Sequence, residues 1–203
     1  MRYAHLADLH LGAWREPNMR ELSTKAFLQA IDDCRNRNVD FILFAGDLFN
    51  TSLPGIDTLK IVTRKLKELQ EKGPPLYCIA GSHDFSPSGK TMLDVLEQAG
   101  LLINVCKGSI SPETKKLHLH FTVDKKTGAK ITGLLGRRGL LDKTYYENLD
   151  LESLERKGAG TLLPDGGRAS QGPGAVRGRD RVEAGLHAQA GGRPRPGAGD
   201  RAR

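Results

Sequence analysis

Val39-Asp40-Phe41-Ile42-Leu43-Phe44-Ala45-Gly46-Asp47-Leu48-Phe49-Asn50 is nearly unbroken apolar sequence up to Ala45, and then turns to a glycine and a carboxylate. A strand with one wet face would alternate polar and apolar side chains. A run apolar at every position predicts a parallel strand covered on both faces, here Val39 to Ala45. Before it, Glu21 to Arg37 carries Ala26, Phe27, Ala30, Ile31 and Cys34 at helical spacing, a stripe able to pack on a sheet. Earlier still, Met1 to Leu6 reads as a short buried strand followed by the polar pair Asp8 and His10. Strand, helix, strand in that order begins an α/β unit.

Downstream the unit repeats. Gly55 to Lys72 places Ile56, Leu59, Val62, Leu66 and Leu69 on one stripe, with Pro54 at its start and Gly73-Pro74 at its stop. Pro75 to Ala80 is a third strand, and it delivers Gly81-Ser82-His83-Asp84 at its end. Ser86-Pro87 offers an N-cap and first position for the next helix, whose apolar face is Met92, Leu93, Val95, Leu96 and Ala99. Leu101 to Val105 is a fourth short strand. The period then drops to two: Leu117, Leu119, Phe121 and Val123 alternate with His118, His120 and Thr122. Asp124 to Gly128 is turn-like, and Ala129 to Leu135 returns as the partner strand. Tyr145 to Lys157 is polar and reads as helical.

The chemistry-bearing residues cluster where the apolar runs end. Asp8, His10, Asp47, Ser82, His83 and Asp84 each lie just past a strand, and the carboxyl ends of parallel strands are where a ligand crevice forms. Asp8 and His10 alternate, so on extended backbone they point to one side and grip one ion. Asp47 has two carboxylate oxygens with which to bridge that ion to a second. Two such metals activate a water and neutralise charge on a phosphoryl group. A single capping carboxylate is unremarkable; the ordered set of three strand ends indicates a two-metal phosphoesterase site.

The blocks Asp8-Leu9-His10, Gly46-Asp47 and Gly81-Ser82-His83-Asp84 resemble the first three motifs of the calcineurin-like metallophosphoesterases. The wording around them, Phe44-Ala45-Gly46-Asp47-Leu48-Phe49-Asn50 and Ile79-Ala80-Gly81-Ser82-His83-Asp84-Phe85, is similar to archaeal double-strand-break repair nucleases, whose bacterial relatives are the SbcD exonucleases. The resemblance covers roughly Met1 to Lys157. It implies an α/β fold, the N-terminal part of a layered α/β/β/α sandwich. It implies Mn²⁺ as cofactor, with Asp8, His10 and Asp47 serving the metals, Asp47 as the bridge, and His83 acting at the scissile phosphate with Asp84 orienting it. Ser82 stands where the family usually has a ligating Asn, so a hydroxyl replaces an amide carbonyl at the second metal. The implied partners are DNA, an ABC-type coiled-coil ATPase, and a second copy of the chain, paired through Leu59 to Leu69 and Met92 to Ala99. The same apolar stripes equally suit the domain's own sheet.

The family completes its site with a later lone histidine and a Gly-His-x-His block, and neither stands here in a strand context. His118 and His120 share one face of a strand, which reads as the polar side of a half-exposed sheet. His187 lies among Gly, Ala and Arg. After Lys157 there is no lysine, after Tyr146 no aromatic residue, and after Ile131 no isoleucine. Residues 158–203 therefore read as a disordered tail, since such a stretch buries too little apolar surface to offset chain entropy. Segments such as Arg168 to Gly174 and Gly192 to Gly197 resemble translation of a shifted frame in GC-rich DNA, an expectation that the chain is truncated. The rival reading is a basic tail touching phosphates, without aromatic residues for base stacking.

The remaining composition bounds the answer. A chain of 203 residues, 38% apolar with a net charge of +7, suffices for one domain and permits an anionic partner. Cys34, Cys78 and Cys106 have neither pairing nor metal-ligand spacing and read as thiols of a reducing compartment. No apolar run reaches membrane-spanning length, so the expectation is a cytoplasmic protein. Ser88-Gly89-Lys90-Thr91 imitates the end of a P-loop, but position 84 is Asp where the motif requires Gly. Three functions stay open: a DNA nuclease acting as duplex-end exonuclease and single-strand endonuclease in break repair, a catalytically incompetent binding fragment, and a small-substrate phosphodiesterase.

Overall fold

In a computed structural model, residues 1–137, 143–152 and 160–162 are described. Four parallel strands, β1 (Tyr3–Leu6), β2 (Phe41–Ala45), β3 (Leu76–Ile79) and β4 (Ile103–Asn104), lie in the order β1-β2-β3-β4. Their connections are helices α1 (Pro17–Asn36), α2 (Ile56–Lys72) and α3 (Met92–Gln98).

The apolar run of β2 explains itself by burial on both faces. Ile42 and Phe44 join Phe27, Ile31, Val62, Leu66, Leu69, Leu93 and Leu96 of the three helices, so all three cover one face. Phe41, Leu43 and Ala45 point the other way, toward Tyr77, Ile79, Val105 and Ile131. Ile131 belongs to β8 (Lys130–Gly133), the middle strand of a smaller sheet with β7 (Thr122–Val123) and β9 (Gly160–Leu162). The described residues thus stack as helices, parallel sheet, second sheet, the α/β/β portion of the expected sandwich. The stripes of α2 and α3 are spent on the domain's own sheet, leaving Ile56, Ile61 and Val95 exposed on those helices.

Several boundaries differ from the sequence expectation, each for a local reason. Helix α1 begins at Pro17 rather than Glu21, because the Glu16 carboxylate accepts the amides of Asn18 (3.0 Å) and Met19 (2.7 Å). Helix α3 waits until Met92: Gly89, at φ +69°, closes a turn onto the Ser86 carbonyl, and Thr91 with Asp94 forms a capping box. The expected single hairpin is divided. Strand β6 (Leu117–Leu119) pairs antiparallel with β5 (Gly108–Ile110), while β7 pairs with β8. The change of partner falls at His120, whose amide donates to the Lys107 carbonyl and whose carbonyl accepts from Thr132 Oγ1. The expected helix is interrupted: helix α4 (Lys143–Glu147) ends before Asn148, residues 151–152 are helical again, and residues 153–157 lie outside the described residues. Most of the expected disordered tail also lies outside them, but Gly160–Leu162 within it is a strand paired parallel to β8.

Lys65 of α2 is nearly buried and places its ammonium 2.6 Å from Asp32 of α1, joining the two helices over the sheet. The cysteines are free thiols, as expected. Burial pushes Cys34 up to about 11 and Cys106 up to about 12, so both are protonated and inert near neutral pH.

Leu66 is fully buried between helices and sheet, so Leu66→Ala is expected to lower unfolding free energy by about 2–5 kcal/mol. Ile56→Ala, at an 80% exposed site, should change it by less than about 0.5 kcal/mol. Urea unfolding followed by circular dichroism compares the two.

Candidate metal centre

Beyond their last paired residues, β1, β2 and β3 continue as three loops zipped edge to edge. The His10 amide donates to the Asp47 carbonyl (2.9 Å), the Leu11 amide to the Leu48 carbonyl (3.0 Å), and the Asn50 amide to the Leu11 carbonyl (3.1 Å). The third loop is fastened by carboxylates. Asp47 Oδ1 accepts the His83 amide at 2.7 Å. Asp84, 1% exposed, accepts the amides of Leu48 (3.2 Å), Phe49 (3.0 Å) and Gly81 (3.1 Å).

Glycine makes this closeness sterically possible. A Cβ on Gly81 would overlap the backbone and carboxylate of Asp47, and one on Gly46 would lie 3.0 Å from the Gly81 Cα. Gly136, just past β8, approaches the same place: its amide donates to the Ala80 carbonyl at 2.9 Å, and an added Cβ would stand 3.1 Å from the Gly81 Cα.

The loops bring most of the expected ligands together, by a different backbone route. His10 Nε2 lies 3.7 Å from Asp8 Oδ1 and 3.7 Å from Asp47 Oδ2. That is too long for a hydrogen bond and fits two ligands of one divalent ion, which at ~2.1 Å each stand no more than about 4.2 Å apart. Ligand atoms of His10, Asp47 and His83 all lie within 4.8 Å of one another, and the two imidazole rings meet edge to face at 4.7 Å. Asp8 and His10 do not alternate along extended backbone. Asp8 (φ +54°), His10 (φ +42°) and Asp47 (φ +49°) all occupy the left-handed region. Three chemistry-bearing side chains in that sparsely populated conformation are a concentration of backbone strain at one place.

The orientation of His83 also departs from expectation. Its Nδ1 lies 2.9 Å from the backbone carbonyl of Asn50. A carbonyl only accepts, so Nδ1 carries the proton and Nε2 is left free to face a ligand. Asp84 makes no contact with the ring, being spent on the three amides. Burial pushes its carboxyl above the usual range, against the opposing pull of the Phe49 and Gly81 amides. Asp84 therefore holds the loops, and Asn50 holds the histidine.

Ser82 lines the cleft beside His83 together with Asn50, Thr51, Phe85 and Arg137. Of these, the sequence reading missed Asn50, Thr51, Phe85 and Arg137. Asn50 was signalled by its place directly after the Asp47 block; Arg137 lies outside every motif. His118 and His120 are not drawn to the centre. His118 Nδ1 pairs with Asp150 at 3.1 Å and His120 Nε2 with the Ser109 hydroxyl at 3.2 Å.

The donor set suits a divalent cation. Asp8, His10, Asp47 and His83 supply carboxylate oxygen and imidazole nitrogen, and His10 Nδ1 is buried without a hydrogen-bond partner. An α/β sheet bearing acidic and imidazole ligands at three adjacent strand ends defines the class of metal-dependent phosphoesterases. Residues 1–168 match the calcineurin-like phosphoesterase family, and the chain belongs to it.

The chain is similar to archaeal proteins named DNA double-strand break repair protein Mre11. With that of Archaeoglobus fulgidus it is 35% identical over 104 residues, covering 50% of this chain and 24% of that protein. With that of Methanopyrus kandleri it is 33% identical over 117 residues, covering 56% and 26%. With that of Sulfurisphaera tokodaii it is 38% identical over 104 residues, covering 48% and 26%. The matched segment spans about a quarter of each relative's length. Among the described residues no helix is long and apolar enough to cross a membrane.

Asp84→Ala leaves three buried amides without an acceptor and is expected to cost on the order of 3 kcal/mol, with Asp84→Asn falling between it and wild type in urea unfolding. Calorimetric titration should detect Mn²⁺ uptake by the full chain, weakened at least roughly tenfold in Asp47→Asn and His10→Ala and unchanged in His118→Ala.

Proposed function

We propose that this chain is a Mn²⁺-dependent phosphodiesterase acting on DNA in double-strand-break repair, as duplex-end exonuclease and single-strand endonuclease. The observation that carries the reading is the convergence of His10, Asp47 and His83 ligand atoms within 4.8 Å at the ends of three parallel strands. The choice of DNA as substrate rests on the similarity to the archaeal break-repair proteins.

Asp8, His10 and Asp47 would hold the metal, with Asp47 the bridge to a second and Ser82 a neutral oxygen donor there. When bound, divalent metals supply an activated water and neutralise charge on the phosphoryl group. The chain's own residues do the rest. Asp47 Oδ1 is fixed by the His83 amide, so its carboxylate is presented in one orientation with Oδ2 toward His10. His83 keeps its Nδ1 proton on the Asn50 carbonyl, so its Nε2 either accepts a proton or, when the ring is cationic, donates to a phosphate or leaving oxygen. Asp84, away from the reacting atoms, keeps these groups in register. The partners of this reading are an ABC-type coiled-coil ATPase and a second copy of the chain, the latter meeting Leu59 to Leu69 and Met92 to Ala99, where Ile61 and Val95 are exposed.

A second reading, a DNA- or partner-binding fragment with little turnover, rests on Ser82, whose hydroxyl is a poorer donor to a second metal than an amide carbonyl. A nuclease assay on duplex DNA separates the two. Mn²⁺-stimulated cleavage should fall at least about 100-fold in Asp47→Ala and His83→Ala. Binding without cleavage in wild type would favour the fragment, and hydrolysis confined to a small diester would transfer the activity to small substrates.

A further inference from the structure

Arg137 stands in the cleft with His83, and among the described residues no carboxylate answers its positive charge. The Gly136 approach sets its backbone against the Gly81–Ser82 loop. Its guanidinium carbon lies 5.2 Å over the centroid of the Phe85 ring. Its Nε is buried and has no hydrogen-bond partner, and no carboxylate among the described residues pairs with it. A guanidinium so placed bears a desolvation cost that a ring face offsets only in part.

The rest of the cleft shares its preference for an anion. It holds about 390 Å³ and is lined by Asn50, Thr51, Ser52, Ser82, His83 and Arg137, with Phe85 and Pro87 as its apolar wall. Hydroxyls, an amide, an imidazole and a guanidinium are there, and among the described residues no carboxylate lines it. The acidic side chains Asp8 and Asp47 face His10 instead. A cation-seeking centre and an anion-seeking cleft therefore meet at His83, which belongs to both.

We propose that Arg137, stacked on Phe85, is a phosphate-docking residue: its guanidinium grips a phosphodiester in this cleft and sets the strand against His83. The inference deepens the nuclease reading and rests on it for the nature of the strand. Phe85 holds the guanidinium over its ring face, and with Nε buried the two terminal Nη groups are the fork a phosphate would meet. That fork matches two oxygens of one phosphate, which an ammonium does not.

The test uses the full chain and a fluorescein-labelled single-stranded decanucleotide, with EDTA present so that neither metal nor cleavage enters. Fluorescence anisotropy should show Arg137→Ala and Arg137→Gln weakening binding roughly tenfold. The slope of log affinity against log salt should fall by about one, the signature of one lost phosphate contact. Arg137→Lys should recover only part of the affinity. Lys60→Ala, on α2 and away from the cleft, should leave it unchanged. Thermal melts verify that Arg137→Lys and Arg137→Gln are folded.

Unchanged affinity in folded Arg137→Gln overturns the proposal, as does an equal loss in Lys60→Ala, which would mark mere net-charge attraction. Bis(p-nitrophenyl) phosphate supplies the other arm. If it displaces the oligonucleotide from wild type, the cleft recognises an isolated diester; if it does not, while the Arg137 dependence persists, the cleft requires a strand. Both results support docking at Arg137. Manganese calorimetry on wild type is independent: no uptake would overturn the metal reading while leaving anion docking to stand or fall on the anisotropy.

Discussion

The Asp84 carboxylate is the fastening on which the site depends. It lies almost entirely out of water and accepts amides from two different strand-end loops, Leu48 and Phe49 on one side and Gly81 on the other. Desolvating a carboxylate is costly, and three hydrogen bonds from otherwise unpaired amides offset that cost. These bonds hold the Gly46–Asp47 and Gly81–Ser82 backbones in contact, so that the Asp47 carboxylate reaches the His83 amide and the two histidine rings meet. A neutral side chain of the same size could not satisfy all three amides. The acid is there for its geometry as an acceptor.

Close approach demands glycine as well as the clamp. Gly46, Gly81 and Gly136 come from three different segments, and a Cβ on any of them would press on the backbone of a neighbour. The third extends the argument to the second sheet, since Gly136 follows β8 and brings Arg137 to the site. The apolar contact of Ile131 with the far face of the parallel sheet therefore has a functional consequence. Packing of one layer on the other places the Arg137 guanidinium beside the cleft's histidine.

Strand-end chemistry was legible in the sequence because it needs only local signals. An apolar run of five residues closed by Gly46-Asp47 announces both a doubly covered strand and the place where it stops. What could not be read was the conformation past those stops. Asp8, His10 and Asp47 all adopt left-handed backbone, a state short polar side chains tolerate but composition does not announce. The tether of His83 was equally hidden, because the acceptor is the backbone carbonyl of Asn50, which no residue type encodes. The divided hairpin has a similar cause: alternation from Leu117 to Val123 gives a strand its faces but does not say that its partner changes at His120.

Charge placement argues that the strain at the centre is maintained for binding. Left-handed Asp8 and His10 bring a carboxylate and an imidazole to 3.7 Å without a hydrogen bond between them, and Asp47 does the same from the neighbouring strand. Such an arrangement leaves lone pairs converging on a common point and buries His10 Nδ1 unpaired. If folding alone were being optimised, rotation of these side chains toward solvent would relieve both defects. Held as they are by the Asp84 fastening and the Asp47 bond to His83, they form a negatively charged pocket whose natural complement is a cation. The cleft on the other side of His83, where the described lining carries a guanidinium and no carboxylate, has the opposite complement. A phosphodiester beside a divalent ion is a ligand that satisfies both at once, which is why the two halves share one histidine.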